Sequence, residues 1–205
     1  MEIFLEDMGR RFNQEWIFRR MNYQFKAGQS YAVLGPNGSG KSTLLQIVSG
    51  SLSPSAGKVL YSEGGKAIEA GNIYQYLSLA APYLELIEEF TLRELMTFHF
   101  RFKRIISGLS MPEMIALLQF ESSENKEIRY FSSGMKQRLK LLLACCTDSP
   151  VLLLDEPTSN LDNQGISWYL ELMDRFAKDR LLIVGSNQYH EYDFCKHRLN
   201  IPDYK

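Results

Sequence analysis

The sequence lacks the features of a membrane-spanning or exported chain. Its clean apolar runs, such as 141–146 and 151–154, fall far short of the roughly 18 residues that a membrane helix needs. The acidic start, residues 1–7, does not have the basic and then apolar pattern of a signal peptide. We therefore expect a soluble cytoplasmic chain, and any membrane process that it serves would require a membrane part from another protein.

Cysteine and net charge are also scarce. Three cysteines, two of which are the neighbours Cys145 and Cys146, give neither a disulfide framework nor metal-ligand spacing, so buried reduced thiols are expected. The 23 basic and 24 acidic residues leave a net charge of −1, which provides no global field for nucleic acid. The aromatic and basic run 98–104 has helical spacing, which favours a buried stripe with charged faces. No nucleic-acid partner is expected.

What is present is the composition of one globular domain, with 205 residues of which 45% are hydrophobic. Runs of β-forming residues or continuous apolar residues predict strands at 2–5, 16–18, 31–34, 58–61, 73–79, 151–154, 181–184 and 198–201. Helical patterns and caps predict helices at 42–49, 91–102, 112–118, 133–146 and 165–178. Strands and helices alternate at both ends with a helical insert between them, which predicts an α/β core with a mainly parallel sheet.

A glycine-rich loop follows the strand predicted at 31–34 and precedes the first predicted helix. It fits the pattern G-x-x-x-x-G-K-[ST] at every fixed position, and the helical pattern continues through Thr43. Glycine lets backbone N–H groups wrap a phosphate closely, and the helix N-terminus adds a favourable dipole. The expected nucleotide-binding residues of this loop are Gly35, Pro36, Asn37, Gly38, Ser39, Gly40, Lys41, Ser42 and Thr43. Lys41 is expected to reach the β- and γ-phosphates, and Ser42 to ligate Mg²⁺.

Two carboxylates end the apolar strand predicted at 151–154. Asp155 and Glu156 follow it directly, at the strand edge where ligands bind in open α/β sheets. A hard cation prefers oxygen ligands, so Asp155 is expected to hold Mg²⁺, usually through water. Glu156 is expected to orient the attacking water or accept its proton. Together with the phosphate loop, this pair predicts a nucleotide hydrolase.

At this point the sequence resembles the nucleotide-binding domains of ATP-binding-cassette (ABC) proteins. The loop sequence Gly-Pro-Asn-Gly-Ser-Gly-Lys-Ser-Thr is the usual phosphate-loop sequence of that family. The segment 131–138 is similar to the family signature Leu-Ser-Gly-Gly-Gln with its basic helix, and it keeps Ser132 and Gly134. Residues 159–162 match the family's D-loop, which ends here at Asp162. Phe12 stands where the family places an aromatic residue that stacks on adenine, although an ordinary core phenylalanine is the alternative.

The resemblance implies a fold, a reaction and partners. The fold would be a P-loop NTPase core with a mainly parallel sheet, a small antiparallel β region and an inserted helical subdomain. It would form a single ABC ATPase domain, 1–205, with its core at about 1–82 and 147–205 and the subdomain at about 83–146. ATP and Mg²⁺ would bind the phosphate loop of one chain, and Ser132 and Gly134 of a second ABC domain would contact the γ-phosphate.

Such a dimer would power transport through a separate transmembrane permease, from the inner face of the membrane. The acidic and apolar stretch 83–90 would face that permease, or would be a solvated loop with a few core anchors. The alternative function is a soluble ABC ATPase of the assembly or regulatory type with low turnover.

Besides the replacements Phe131, Ser133 and Met135 in the signature segment, two departures from the family pattern matter for catalysis. The family usually has a glutamine at the end of the strand that enters the helical subdomain, but residues 80–82 here are Ala-Ala-Pro. The family also has a histidine after the last core strand, where this chain has Asn187. An amide can donate a hydrogen bond to a γ-phosphate but cannot carry a proton or a charge. We therefore expect catalytic roles for Glu156, Lys41 and Asn187, with a turnover that these two departures lower.

Overall fold

The computed structural model describes every residue from Met1 to Lys205. The strands are β1 Glu2–Phe12, β2 Glu15–Phe25, β3 Ser30–Leu34, β4 Ala56–Glu63, β5 Lys66–Ile68, β6 Leu77–Ala80, β7 Val151–Asp155, β8 Leu181–Gly185 and β9 His197–Asn200. The α-helices are α1 Lys41–Val48, α2 Leu92–Phe102, α3 Met111–Leu118, α4 Ser133–Cys145, α5 Asn163–Phe176 and α6 Tyr189–Tyr192. No helix is both long and apolar enough to cross a membrane.

The strands form two sheets. The five-stranded sheet has the order β6–β7–β8–β3–β9, and the pairings of β7 with β8, β8 with β3 and β3 with β9 are parallel. The four-stranded sheet has the order β2–β1–β4–β5 and is antiparallel. All residues of β7 and β8 are buried, as continuous apolar strands covered on both faces should be. The predicted α/β class with a mainly parallel sheet and a small antiparallel region is confirmed.

The chain divides into two compact units. The first comprises 1–79, 150–156 and 179–205, and it contains both the antiparallel sheet and most of the parallel sheet. The second comprises 80–149 and 157–178, and it is mostly helical. Helix α5 therefore belongs to the second unit, whereas the sequence alone assigns all of 147–205 to the core.

The hydrophobic core of the first unit lies under the strands and α1. Fully buried side chains from β1, β2, α1, β7 and β8 form it, among them Met8, Phe18, Leu44, Leu153 and Ile183. Because such burial stabilises each large side chain by about 2 kcal/mol, this core fixes the edge from which the phosphate loop emerges. Cys145, Cys146 and Cys195 are buried thiols without disulfides, which confirms that expectation.

Local signals predicted several helices correctly. The Thr91 hydroxyl accepts from the Glu94 N–H at 3.2 Å and the Glu94 carboxylate accepts from the Thr91 N–H at 2.8 Å, which is the capping box that opens α2. A second capping box at Ser110 and Glu113 opens α3 one residue before Pro112. Helix α5 begins at Asn163, before the predicted Gly165, because Asp162 caps it.

Two predictions about local structure were wrong. Residues 70–75 form a 3₁₀ helix, so the strand predicted at 73–79 is only Leu77–Ala80. The buried stripe predicted within 98–104 is also wrong, because Phe98 is 41% exposed and Phe102 is 73% exposed. The buried face of α2 consists instead of Leu92, Leu95 and Met96, in its first half. Tertiary packing covers the start of this helix and leaves its aromatic end uncovered.

Candidate nucleotide site

The phosphate loop connects β3 to α1 in the first unit, as predicted. Gly40 caps α1 in the left-handed region, at φ 111°, and no side chain occupies the helix N-terminus as a cap. A Cβ at Gly40 would lie 2.3 Å from Cγ2 of Ile17, so strand β2 packs directly against the loop here. The N–H groups at the start of α1 therefore remain available to an anion. This geometry supports phosphate binding by residues 35–43.

Lys41 is held close to the loop by its own backbone. Its side chain is only 5% exposed, and its Nζ donates a 2.9 Å hydrogen bond to the carbonyl oxygen of Gly35. A buried ammonium group with a neutral carbonyl partner gains strongly from a nearby anion. The position of Lys41 thus fits a ligand that brings negative charge to the loop.

Asp155 ends β7 and is a buried carboxylate. It is 1% exposed, and neither Oδ1 nor Oδ2 has a partner of ordinary geometry. Burial is the main cause that raises the pKa of Asp155 to about 6, and the nearby Glu156 and Glu191 carboxylates raise it further. The Ser42 hydroxyl and the Lys41 ammonium group act in the opposite direction.

Orphaned carboxylate oxygens beside a serine hydroxyl are the hard donors that Mg²⁺ prefers. Asp155 and Ser42 therefore fit the metal that the sequence predicts. A bound Mg²⁺ would supply charge neutralisation for both the Asp155 carboxylate and nucleotide phosphates.

Glu156 has a strained backbone at the end of β7. Its φ is 41°, in the left-handed region that favours glycine, and its N–H donates a 2.8 Å hydrogen bond to the Gly185 carbonyl oxygen. Non-glycine residues in this region cost on the order of 1–2 kcal/mol and cluster at functional sites. The bond to Gly185 ties the predicted base to the loop that follows β8.

Asn187 reaches the phosphate loop across a large sequence separation. Its Nδ2 donates a 2.9 Å hydrogen bond to Oδ1 of Asn37. Both side chains are polar and solvent-accessible, and no charge is involved. The structure thus brings Asn187 to the same loop that carries Lys41. The N–H of Glu156 is hydrogen-bonded to Gly185, which is two residues before Asn187.

Phe12 lies at the end of β1, where it pairs with Glu15. Its ring is 47% exposed, so the alternative of an ordinary core phenylalanine is wrong. The guanidinium carbon of Arg10 lies 4.6 Å from the ring centroid, which gives the ring a cation–π partner. The exposed ring remains available for stacking, and no contact of Phe12 with the phosphate loop is described.

The signature residues lie in the second unit. Ser132 caps α4, and its hydroxyl accepts from the Met135 N–H at 3.2 Å. A Cβ at Gly134 would lie 3.0 Å from the carbonyl oxygen of Asn160, so this position closely approaches the D-loop. Asp162 caps α5 by accepting from the Gly165 N–H at 2.8 Å. The structure therefore brings Ser132, Gly134 and Asp162 to neighbouring helix starts.

A cleft of about 310 Å³ lies at these helix starts, and Arg138 lines it. The Arg138 guanidinium carbon lies 4.6 Å from the Trp168 ring and 5.2 Å from the Phe120 ring. Burial lowers the pKa of Arg138, and the Asp162 carboxylate acts against that shift. The helix starts and this cation give the cleft a favourable environment for negative charge.

The position of the expected glutamine is filled by small apolar side chains. Strand β6 ends at Ala80, and both Ala80 and Ala81 are almost completely buried. A methyl side chain cannot ligate a metal or hydrogen-bond a water. Sequence reasoning missed Ser186 and Glu191, which hold the loop around Asn187, because a serine and a glutamate near a chain turn give no distinctive pattern.

The comparisons with known proteins agree with this geometry. A sequence model of the family described as "ABC transporter" matches residues 18–159. The chain belongs to the ABC transporter family. As a member of this family it has the P-loop NTPase fold of an ABC ATPase cassette.

Two curated relatives illustrate the range of ABC proteins that this chain resembles. It is 32% identical over 187 residues to the retinal-specific phospholipid-transporting ATPase ABCA4 of Homo sapiens, covering 89% of this chain and 8% of the relative. It is 28% identical over 202 residues to the Nod factor export ATP-binding protein I of Burkholderia orbicola (strain AU 1054), covering 96% of this chain and 66% of the relative. The chain therefore spans less than two thirds of the length of either relative.

A solved ABC structure has the same fold. The dimeric bacterial ABC transporter cassette MJ0796 matches with a TM-score of 0.78 and 20% identity, covering 97% of this chain and 94% of that chain. At this level of identity the match shows the fold alone. The ABC cassette fold is thus common to both chains over nearly their whole lengths.

Proposed function

We propose that residues 1–205 act as a single ABC ATPase domain, with its core at about 1–82 and 147–205, that binds Mg·ATP and hydrolyses it. The observation that carries this proposal is the convergence of Lys41, Asp155, Glu156 and Asn187 within one compact unit. These four side chains come from three segments that are far apart in sequence, since only Asp155 and Glu156 are neighbours. Their convergence supports one reaction site rather than three unrelated motifs.

Each residue has a distinct role in this proposal. The loop amides of residues 35–43 and the Lys41 ammonium group bind the phosphates, and Asp155 and Ser42 hold Mg²⁺. Glu156 orients the attacking water and accepts its proton. Asn187 donates a hydrogen bond to the γ-phosphate in place of its bond to Asn37. The exposed Phe12 ring stacks on adenine.

Dimerisation would complete the site. A second ABC ATPase domain, either another copy or a related chain, would present its Ser132 and Gly134 to the γ-phosphate and its Asp162 to the phosphate loop. The name of MJ0796 as a dimeric cassette supports this arrangement. So does the cluster of helix starts at Ser132 and Asp162, because such starts favour negative charge.

Transport is the process that we propose for this ATPase. The Burkholderia relative is named as an export ATP-binding protein, and the human relative as a phospholipid-transporting ATPase. The chain would act from the cytoplasmic face of a membrane through a separate transmembrane permease. Residues 84–89 of the segment 83–90 line an open groove of about 700 Å³ in the second unit, together with Pro82, Lys136 and Lys140. This groove is a candidate surface for that permease.

The second candidate is a soluble assembly or regulatory ATPase with low turnover. Ala81 and Asn187 favour it, since neither can take the role of a metal-ligating glutamine or a protonated histidine. Purification from native membranes in detergent distinguishes the two. A polytopic membrane protein that copurifies in stoichiometric amounts supports transport, whereas soluble partners alone support the second candidate.

The variant Glu156→Gln tests the ATPase itself. We expect it to bind a fluorescent ATP analogue as tightly as the parent, to lose turnover by about 10²-fold or more, and to elute as a dimer with Mg·ATP in gel filtration. Asp148→Asn, an exposed carboxylate, is the matched control and should behave like the parent. Parental turnover in Glu156→Gln would contradict the role of Glu156 as base.

A further inference from the structure

A buried carboxylate lies behind the loop that carries Asn187. Glu191, in the short helix α6, is 1% exposed, and its Oε2 accepts a short hydrogen bond from the Ser186 hydroxyl. Ser186 itself is completely buried. A carboxylate in such a place loses much hydration energy, so the hydrogen bonds that it accepts matter for the stability of its surroundings.

Ser186 links this carboxylate to both sides of Asn187. Its Oγ accepts a 2.8 Å hydrogen bond from the backbone N–H of Gln188, on the far side of Asn187. Its own N–H donates to the Val33 carbonyl oxygen at 3.2 Å, at the end of the strand that enters the phosphate loop. The Ser186 hydroxyl thus fixes the turn from which the Asn187 side chain extends to Asn37.

The same turn also holds the predicted base. Gly185, which precedes Ser186, accepts the 2.8 Å hydrogen bond from the Glu156 N–H. The Glu191 charge lies near enough to Asp155 to contribute, after burial and the Glu156 charge, to the raised pKa of that carboxylate. The turn that Glu191 and Ser186 support therefore lies next to the end of β7 as well as the phosphate loop.

We propose that Glu191 is a positioning residue that acts through Ser186 to hold Asn187 against the phosphate loop. The inference rests on the proposed ATPase function and deepens it. Glu191 does not touch the nucleotide. It restricts the 185–188 turn to the arrangement in which the Asn187 amide meets Asn37.

The proposal predicts a specific kinetic pattern. Displacement of a catalytic group by about 1 Å can cost 10²-fold in rate. Ser186→Ala and Glu191→Ala should therefore lower kcat for ATP about tenfold, while KM for ATP stays within about threefold, because the phosphate-loop donors are unchanged. Glu191→Gln keeps an oxygen that accepts the Ser186 proton, so its kcat should stay within about threefold of the parent. Asp193→Asn, an exposed carboxylate next to α6, is the control and should equal the parent.

A double-mutant cycle separates positioning from a general effect on folding. In the Asn187→Ala background, Glu191→Ala should cause little further loss of kcat, because the group that it positions is already absent. Losses that multiply fully in the double variant would overturn the proposal. So would a Glu191→Gln variant as slow as Glu191→Ala, because the charge rather than the hydrogen bond would then matter.

A spectroscopic measurement gives a readout that does not depend on turnover. The side-chain amide signals of Asn187 can be assigned in a ¹H–¹⁵N spectrum of the nucleotide-free protein by their loss in Asn187→Ala. In Ser186→Ala they should move toward the position of a solvent-exposed amide and exchange faster with solvent. Unchanged signals in Ser186→Ala would overturn the proposal even if Glu191→Ala fails to fold.

These outcomes also separate this inference from the proposed function. If Asn187→Ala and Glu156→Gln both keep parental turnover, the catalytic roles proposed for these two residues are wrong, although the amide signals can still report the positioning. If both variants lose turnover while Ser186→Ala and Glu191→Ala do not, the ATPase proposal stands and the positioning role of Glu191 is overturned.

Discussion

The side-chain amide of Asn187 donates a 2.9 Å hydrogen bond to the side-chain oxygen of Asn37 in the phosphate loop. This bond connects the turn after β8 to the loop after β3, two segments that lie at opposite ends of the chain. It holds the amide beside the place where the terminal phosphate of a bound nucleotide is expected. The contact makes Asn187 the residue whose substitution is most informative.

Removal of this amide should slow hydrolysis. We expect Asn187→Ala to lower kcat by about 10–10²-fold, since one preorganised donor is lost at the position of developing charge. Asn187→His should keep a donor and add a group that titrates near pH 6.5, so that its turnover gains a pH dependence near that value in addition to any that the parent shows. Steady-state phosphate release between pH 5.5 and pH 8.5 measures both effects.

The neighbouring residue provides the control for this prediction. Gln188 is exposed, and its role in the turn is carried by its backbone N–H, which the variant Gln188→Ala keeps. Its turnover should equal that of the parent. An Asn187→Ala variant within twofold of the parent would show that the amide takes no part in the reaction.

A side chain at Gly40 should destabilise the fold as well as the loop. The residue has φ 111°, and a Cβ would meet Ile17 at 2.3 Å. We expect Gly40→Ala to reduce the free energy of unfolding by about 2 kcal/mol or more, since backbone strain and a core clash add. Gly28→Ala is the matched control, because Gly28 also has a positive φ, 66°, but nothing lies within 4 Å.

Urea denaturation measures both glycine variants. Gly28→Ala should reduce the free energy of unfolding by about 1 kcal/mol, because only the left-handed conformation is unfavourable for alanine there. Equal losses in the two variants would mean that the contact with Ile17 relaxes without cost.

Asp155 should limit stability in the absence of metal. Its carboxylate oxygens are buried without hydrogen-bond partners, so Asp155→Asn should raise the free energy of unfolding of the metal-free protein by about 1 kcal/mol. The same substitution should abolish the extra thermal stability that Mg·ATP confers on the parent, because ligand binding stabilises the folded state only while affinity is retained. Thermal unfolding in EDTA and in Mg·ATP measures the two effects.

The control for this prediction is Asp148→Asn, which changes an exposed carboxylate. It should leave both unfolding temperatures close to those of the parent. A destabilised metal-free Asp155→Asn protein would indicate that the carboxylate has stabilising partners in the folded state.

The buried side chain of His99 should make the free energy of unfolding of the helical unit depend on pH. Thr147 donates its hydroxyl proton to the Leu143 carbonyl oxygen at 2.7 Å, so it must accept the 3.0 Å hydrogen bond from Nε2 of His99. Burial, with a smaller contribution from the Lys103 charge, lowers the pKa of His99 from 6.5 to about 4. The neutral ring is therefore the form that the folded state favours.

Below pH 6.5 the unfolded chain binds this proton before the folded chain does, so stability falls as the pH is lowered toward 4. The slope from this group should be at most about 1.4 kcal/mol per pH unit. His99→Gln keeps a donor for Thr147 and cannot titrate, so its unfolding free energy should depend less steeply on pH between 6.5 and 4. Urea denaturation at several pH values measures this. Parallel pH profiles for the two proteins would contradict the prediction.

Much of the fold could be predicted from local patterns. The capping box at Thr91 and Glu94 depends on residues three positions apart, so the start of α2 can be predicted from the local sequence. The apolar runs of β7 and β8 likewise identify buried strands. By contrast, Phe98 and Phe102 are exposed although their spacing suggests a buried stripe, since only tertiary packing decides which face of a helix is covered.

The candidate site divides in the same way. The phosphate loop at 35–43 and the acidic pair Asp155 and Glu156 could be predicted from the sequence, because their chemistry requires particular residue types at adjacent positions. The contact of Asn187 with Asn37 and the bond between Glu191 and Ser186 behind it follow from the three-dimensional fold alone. Those contacts depend on how parallel strands place distant loops at one sheet edge, and no short sequence pattern encodes that arrangement.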